Sequence, residues 1–315
     1  MSIILHCIGG GRAVSIDADD LLGWFAVAER DLPWRAGDVT PWQILVSEFM
    51  LQQTPVARVL PIWPDWVARW PTPSATAAAS QADVLRAWGK LGYPRRAKRL
   101  HECAAVIARD FADEVPDDVE VLEQLPGIGS YTARAVAGFA YRQPVPVVDT
   151  NVRRVVARAV HGQADAGSPS VKRDHADVEA LLALLPDAER AARFSAALME
   201  LGAIVCTARA PQCGHCPLRG DCRWLLAGSP PGADRKRPAQ RYAGTDRQAR
   251  GRLLDVLRDN TVAVTRAELD LAWPADAVQR ERALSSLLDD GLAERLPDGR
   301  FALPGHDRND STASR

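Results

Sequence analysis

Four cysteines fall within one short stretch of this chain, Cys206-x6-Cys213-x2-Cys216-x5-Cys222. No other feature restricts the fold as much, because four thiols held that close call for a shared partner. A zinc site is usually built from two short knuckles, so two C-x2–4-C pairs are expected for zinc. Only Cys213 and Cys216 form such a pair. One loop with unequal spacings better suits an iron–sulfur cubane, which takes four cysteine ligands. His215 lies inside the loop but is surplus, since the cysteines already complete the set. The two remaining cysteines, Cys7 and Cys103, stand far apart in sequence. This clustering argues against a disulfide framework and for a reducing compartment. The first fifteen residues hold only Ile3-Ile4-Leu5 as an apolar run, too short for a signal-peptide core. No stretch is apolar enough to span a membrane, so a cytoplasmic protein is expected. Net charge is −1 over 315 residues, which excludes a globally basic nucleic-acid binder. Any contact with DNA has to come from local patches.

A second constraint lies in Leu125 to Asn151, LPGIGSYTARAVAGFAYRQPVPVVDTN. Leu125-Pro-Gly-Ile-Gly129 reads as a glycine hairpin, and Ser130 to Tyr141 as a helix rich in small residues. Glycines can take positive φ and bring backbone close to a ligand. The N–H groups at the following helix start then face an anion, which the helix dipole favours. Such a hairpin is a phosphate clamp or an ordinary helix–turn–helix. Asp149 opens the next helix, Thr150 to Val160, where N–H groups would hold a carboxylate ionised.

Glu48 is the odd residue in Pro41 to Thr54, PWQILVSEFMLQQT. Ile44 and Leu51 lie at i−4 and i+3, so Glu48 shares a helical face with apolar neighbours. A carboxyl held among apolar groups has a raised pKa and can act as a general acid. One at the edge of the stripe reaches water instead, and the pattern allows both. Upstream, Asp17 to Arg30 reads as a helix ending in Leu32-Pro-Trp-Arg35. Trp34 and Arg35 offer a stacking plane and a fixed fork of donors, or simply a buried Trp beside a surface Arg.

Residues 55–115 read as three or four short helices, with a basic run at Arg95, Arg96, Lys98 and Arg99 suited to a phosphate backbone. The stretch 227–246 is rich in Pro, Gly and charge and reads as a linker. Beyond it come a helix at Arg247 to Arg258, a capping box at Thr265-x-x-Glu268, and a helix at Asp276 to Asp289. A hairpin signal follows at Pro297-Asp-Gly299. Three helices and a hairpin look like a small winged helix over 247–304, with a polar, disordered tail at 305–315.

On these motifs, residues 17–222 resemble the helix-hairpin-helix DNA glycosylases that carry a [4Fe–4S] cluster. Within that superfamily they most resemble the MutY-type A/G-specific adenine glycosylases. The resemblance rests on Leu32–Arg35, Ser47-Glu-Phe-Met-Leu-Gln-Gln-Thr54, Leu125–Gly129, Val148-Asp-Thr-Asn-Val152 and the four cysteines. It implies an all-α, bilobed core with an added winged-helix-like module. The expected division is 17–40 packing on the cluster lobe, 41–145 as the lobe with the hairpin, 146–226 as the cluster lobe, then linker, module and tail.

The resemblance also implies the chemistry: excision of adenine mispaired with 8-oxoguanine or guanine in base excision repair. The partner would be double-stranded DNA, bound by a monomer. Glu48 would protonate the flipped adenine, and Asp149 would stabilise the positive charge that develops on the sugar. Tyr131 would stand in the catalytic pocket, where lyase relatives carry a Schiff-base lysine, so a monofunctional enzyme is expected. Trp34 and Arg35 would line the adenine pocket, and Gln53 and Thr54 would lie near the opposite base. Gly127 and Gly129 would hold a phosphate, with Asn151 and Arg153 as further DNA contacts. Cys206, Cys213, Cys216 and Cys222 would hold the [4Fe–4S] cluster.

Three departures from the family pattern stand out. Pro94 replaces the second Tyr of a Gly-Tyr-Tyr wedge, Ala196 stands where many members have Glu or Gln beside the adenine, and no Nudix signature follows Cys222. Two other function classes fit parts of the sequence: a glycosylase for another damaged base such as an oxidised pyrimidine, and a non-enzymatic metal-bearing DNA-binding regulator.

Overall fold

The structure is a computed structural model and describes residues 16–232 and 242–305. Expectations that fall on Cys7, on the middle of the 227–246 linker and on residues 306–315 lie outside the described residues. In chain order the helices are α1 (Ala18–Ala28), α2 (Pro41–Leu51), α3 (Val56–Val59), α4 (Trp63–Arg69), α5 (Pro73–Ala78), α6 (Gln81–Trp88), α7 (Arg95–Asp110) and α8 (Val119–Gln124). They continue as α9 (Ser130–Ala140), α10 (Thr150–Ala159), α11 (Val171–Leu182), α12 (Ala188–Ile204), α13 (Arg223–Leu226), α14 (Asp246–Asp259), α15 (Arg266–Ala272) and α16 (Ala277–Asp289). Two short strands, β1 (Glu294–Arg295) and β2 (Phe301–Ala302), pair antiparallel. No described helix is long and apolar enough to cross a membrane.

The chain forms two compact units. Over the described residues the first takes 16–44, 117–124 and 128–232. Its helices start on side-chain caps that satisfy otherwise unpaired N–H groups: Asp17 for α1, Asp149 for α10, Ser170 for α11 and Asp187 for α12. Their apolar faces meet in one core of Leu21, Phe25, Val152, Val156, Phe194 and Leu198. Gly202 lets α12 approach the start of α10 closely, since a Cβ there would lie 2.7 Å from Asn151 Cβ and 2.8 Å from its carbonyl oxygen.

The second unit takes 45–116, 125–127 and 242–305. Trp66 anchors it with edge-on contacts to Trp70 and Trp88, at 4.8 and 5.8 Å between ring centres. The C-terminal helices join this unit rather than standing apart. Gln81 Nε2 donates to the Gly291 carbonyl at 2.7 Å, Lys98 Nζ to the Asp290 carbonyl at 3.1 Å, and Arg86 to the Asn260 carbonyl at 3.2 Å. Asp290 also accepts from Arg250 at 2.6 Å and pairs with Arg95. Contact thus divides the chain differently from sequence boundaries. Helix α9 falls in the same unit as the cluster loop, and 242–305 in the unit of α6 and α7, the latter through hydrogen bonds between residues 174 to 210 positions apart. Within 242–305 the Thr265–Glu268 capping box opens α15, and Val264 bridges Phe301 of β2.

Candidate active site and cluster loop

Six consecutive residues of α2, Leu45 to Met50, are buried. Glu48 is among them, only 6% exposed, so its carboxyl does not lie at a wet stripe edge. The helix ends at Leu51, and Gln53 follows with a left-handed backbone (φ 55°) and an exposed side chain, while Thr54 is buried.

The hairpin glycines differ in kind. Gly127 has φ 81°, and a Cβ there would lie 2.7 Å from Arg99 Cβ and 2.8 Å from the Phe49 ring. Both conformation and crowding therefore require glycine. Gly129 caps α9 in extended backbone (φ −107°, ψ 177°), and a Cβ there would meet nothing within 4 Å. Positive φ thus applies to the first glycine alone; nothing inside the protein calls for the second. Tyr131, one residue into α9, places its hydroxyl 4.0 Å from Met199 Sδ.

Asp149 caps α10 as anticipated, but its electrostatics are not those of a simple N-cap. Oδ1 accepts from the backbone N–H groups of Asn151 and Val152, both at 2.8 Å, and Oδ2 accepts from Asn151 Nδ2 at 2.7 Å. Burial pushes its pKa up, and the hydrogen bonds and the Arg154 charge pull it down without cancelling that. The net direction is upward, so burial works against the hydrogen bonds that the helix start supplies. Asn151 and Arg153 are turned to internal tasks. Asn151 Oδ1 accepts from Arg154 Nη2 at 2.8 Å, and Arg153 Nε donates to Asp174 at 2.6 Å in a nearly buried ion pair.

Trp34 is buried, and the Arg35 fork is already occupied. Arg35 Nη2 donates to Glu200 at 2.9 Å, and Arg30 donates to the same carboxylate through its backbone N–H, Nε and Nη2 at 2.7–3.0 Å. Glu200 lies one turn along α12 from Ala196, fully buried. Sequence reasoning passed over it, although an acid inside Ala196-Ala-Leu-Met-Glu-Leu201 carries the same signal as Glu48. Burial pushes the Glu200 carboxyl up, but the two arginines outweigh this and hold it at about 2. A depressed carboxylate pKa gives stability that is full above the unfolded value of about 4.3 and is lost as pH falls toward the folded one. Glu200→Gln leaves two cations facing a neutral amide. The expected loss is about 2–3 kcal/mol, below that of a fully buried pair because the arginine heads are partly wet. Urea midpoints measured from pH 7 down to pH 2 check this: the difference from the parent should shrink below pH 4.

The four cluster cysteines are half-buried and line one small cavity with Val205, Pro211 and Leu225. Among the described residues no three His, Cys, Asp or Glu side chains are gathered tightly enough to grip a single ion. Four cysteines around one cavity match the ligand number of a [4Fe–4S] cluster. Burial pushes the Cys216 thiol up to about 11, and the neighbouring thiols add to this. Thiols bind a metal core as thiolates, so loading the cluster releases their protons. Arg158, 5% exposed, braces the loop: it donates to Cys206 Sγ at 3.4 Å and to the Thr207 carbonyl at 2.7 Å, and lies 4.8 Å over the Trp224 ring.

Comparison with known proteins bears on the helical segment and on the cysteine loop in turn. Residues 46–176 match the family model of the HhH-GPD superfamily base excision DNA repair proteins. Residues 206–222 match the iron-sulfur binding domain of endonuclease III, so the loop is a [4Fe–4S] site. The chain is 72% identical over 290 residues to the adenine DNA glycosylase of Mycobacterium tuberculosis (strain CDC 1551 / Oshkosh), covering 92% of this chain and 94% of that protein. It is 66% identical over 292 residues to the adenine DNA glycosylase of Mycolicibacterium smegmatis, covering 93% and 97%. Among solved structures, a trapped endonuclease III–DNA covalent intermediate aligns with a TM-score of 0.56 and 25% identity, over 67% of this chain and 94% of that one.

Proposed function

This chain belongs to the adenine DNA glycosylases of the helix-hairpin-helix superfamily, and on that premise we propose that it removes adenine paired with 8-oxoguanine or guanine. The reaction is hydrolysis of the N-glycosidic bond after the base has left the stack. Glu48 protonates N7 of adenine, which makes the base a better leaving group. Burial at 6% exposure supports this role, since a low-dielectric setting favours the neutral, proton-carrying form of a carboxyl. Asp149, as the carboxylate, faces the positive charge that develops on the sugar. Its three hydrogen-bond donors support that form and fix its direction. Two carboxyls in different roles form the general arrangement for glycoside cleavage, and the burial of Glu48 carries the reading.

The remaining roles follow the same premise. Trp34 lines the adenine pocket, and Arg35, held by Glu200, stiffens its wall. Gly129 is glycine because the DNA backbone needs the space in front of its N–H, there being no internal reason for it. Asn151 orients Asp149, and Arg153 fastens the loop before α11. Tyr131 supplies no amine, so the enzyme cuts no strand by β-elimination. The [4Fe–4S] cluster shapes the loop at 206–222 and takes no part in bond cleavage. Gln53 and Thr54 meet the base opposite adenine.

Single-turnover excision on one duplex series tests the proposal. Adenine placed opposite 8-oxoguanine, guanine and thymine is incubated with the cluster-loaded enzyme, and strand breaks are scored with and without alkali. The expected result is release opposite 8-oxoguanine and guanine, visible only after alkali. Breaks without alkali, or no adenine release from any duplex, overturn it.

A further inference from the structure

Arg96 lies in the basic run that reads as a phosphate-facing surface, yet its guanidinium turns inward. Nη1 donates to the carbonyls of Phe49, Met50 and Gln52 at 2.8, 2.9 and 2.6 Å. Nη2 donates to Thr54 Oγ1 at 2.8 Å and to the Gly92 carbonyl at 3.1 Å. The group also lies 5.1 Å from the Trp88 ring centre and 5.4 Å from that of Tyr93. Trp88 Nε1 shares the Gly92 carbonyl at 3.0 Å. Among the described residues no carboxylate pairs with Arg96. Its charge is met by the carbonyl end of α2, the negative pole of the helix dipole. Burial lowers its pKa to about 10, so the cation persists at neutral pH.

Two of those carbonyls have a particular address. The Gln52 carbonyl belongs to the peptide before Gln53, and the Gly92 carbonyl to the peptide before Tyr93. Both following residues are non-glycines in left-handed backbone, with φ 55° and 48°. Both present exposed side chains, Tyr93 at 47%. Such conformations cost on the order of 1–3 kcal/mol each and persist only where the surroundings over-determine them, typically at ligand clamps. One planar fork holds both. A guanidinium can do this because its donors are rigidly spread, whereas an ammonium radiates from a point.

We propose that Arg96 is a positioning residue that locks the Gln52–Thr54 and Gly92–Tyr93 turns together, and so sets the preference for 8-oxoguanine over guanine opposite the adenine. This rests on the function proposed above, which assigns Gln53 and Thr54 to the opposite base. A looser turn costs discrimination before it costs chemistry.

The test is Arg96→Lys in the full-length, cluster-loaded protein, with single-turnover rates opposite 8-oxoguanine and opposite guanine set against the melting temperature. The expected result is that the 8-oxoguanine-to-guanine rate ratio falls about tenfold or more, the scale at which small misplacements of positioned groups act. Equal loss on both duplexes, or an unchanged ratio, makes Arg96 merely structural and overturns the proposal. If Arg96→Lys fails to fold, Trp88→Phe carries the same test: it keeps an aromatic ring under the guanidinium and removes the donor to the Gly92 carbonyl. The ratio should then fall about threefold, since one hydrogen bond of the set is lost, and an unchanged ratio overturns the proposal. No adenine release by the parent enzyme from any duplex removes the underlying function and this proposal together. Release by the parent with unaltered preference in the variants overturns this proposal alone.

Discussion

Glu48→Gln is expected to bind an adenine mismatch as the parent does and to lose excision by about 10²–10⁴-fold, the range general acid catalysis supplies. The amide keeps the size of the carboxyl and its place within the buried run Leu45–Met50, so packing in α2 is preserved. It has no proton of suitable acidity to give to the leaving base. On the proposed roles, binding draws on phosphate contacts and on the opposite-base loop, to which Glu48 is not assigned. The pair of measurements is therefore diagnostic: a mobility-shift titration with mismatch duplex, and single-turnover excision on the same duplex. Binding retained with excision lost supports the general acid. Excision at the parental rate removes Glu48 from the mechanism. A parallel fall in both shows that the residue is needed for the fold of α2 and its turn.

How much of this was legible in the sequence depends on the kind of interaction. Helix starts were readable because a cap is a local event: Asp17, Asp149 and Thr265 each bond to N–H groups two or three residues on. The cysteine loop was readable because its ligands are close in sequence. The two hairpin glycines look alike as letters, and only the backbone separates Gly127, required by φ and by Phe49, from Gly129, free of both. Long cations were the least readable. Arg35, Arg96, Arg153 and Arg158 each carry a reach of several ångströms, and sequence alone does not say whether they point to solvent or to a buried acceptor. All four turn inward, to Glu200, to the end of α2, to Asp174 and to the cluster loop. The 242–305 segment shows the same limit on a larger scale. Its elements follow from capping and turn chemistry, but its grouping with α6 and α7 depends on Gln81, Lys98 and Arg95 meeting residues near 290.

Asp149→Asn separates the cap from the charge. Asparagine is as good an N-cap as aspartate, so its side-chain oxygen can still accept from the N–H groups of Asn151 and Val152. In that pose its Nδ2 faces Asn151 Nδ2, donor against donor, so the third bond is lost. The stability cost is about 1–3 kcal/mol, the range for a buried donor left unpaired. It is reduced because burial already penalises the ionised form of Asp149. For a carboxyl with a raised folded pKa, the contribution to stability is full below the unfolded value and is lost as pH rises through the folded one. Removing the charge thus relieves a cost at neutral pH. Catalysis should move the other way. On the proposed mechanism the charge developing on the sugar loses its carboxylate, and excision is expected to fall about 10²–10³-fold, as when one preorganised electrostatic group is removed. The pH profile gives a second and independent reading. Excision by the parent needs Asp149 ionised, so the acidic limb of its rate should lie above the pH at which an exposed aspartate titrates, and Asp149→Asn should lack that limb. A variant that keeps the acidic limb would assign it to another group, and one that excises adenine at the parental rate would end the electrostatic role of Asp149.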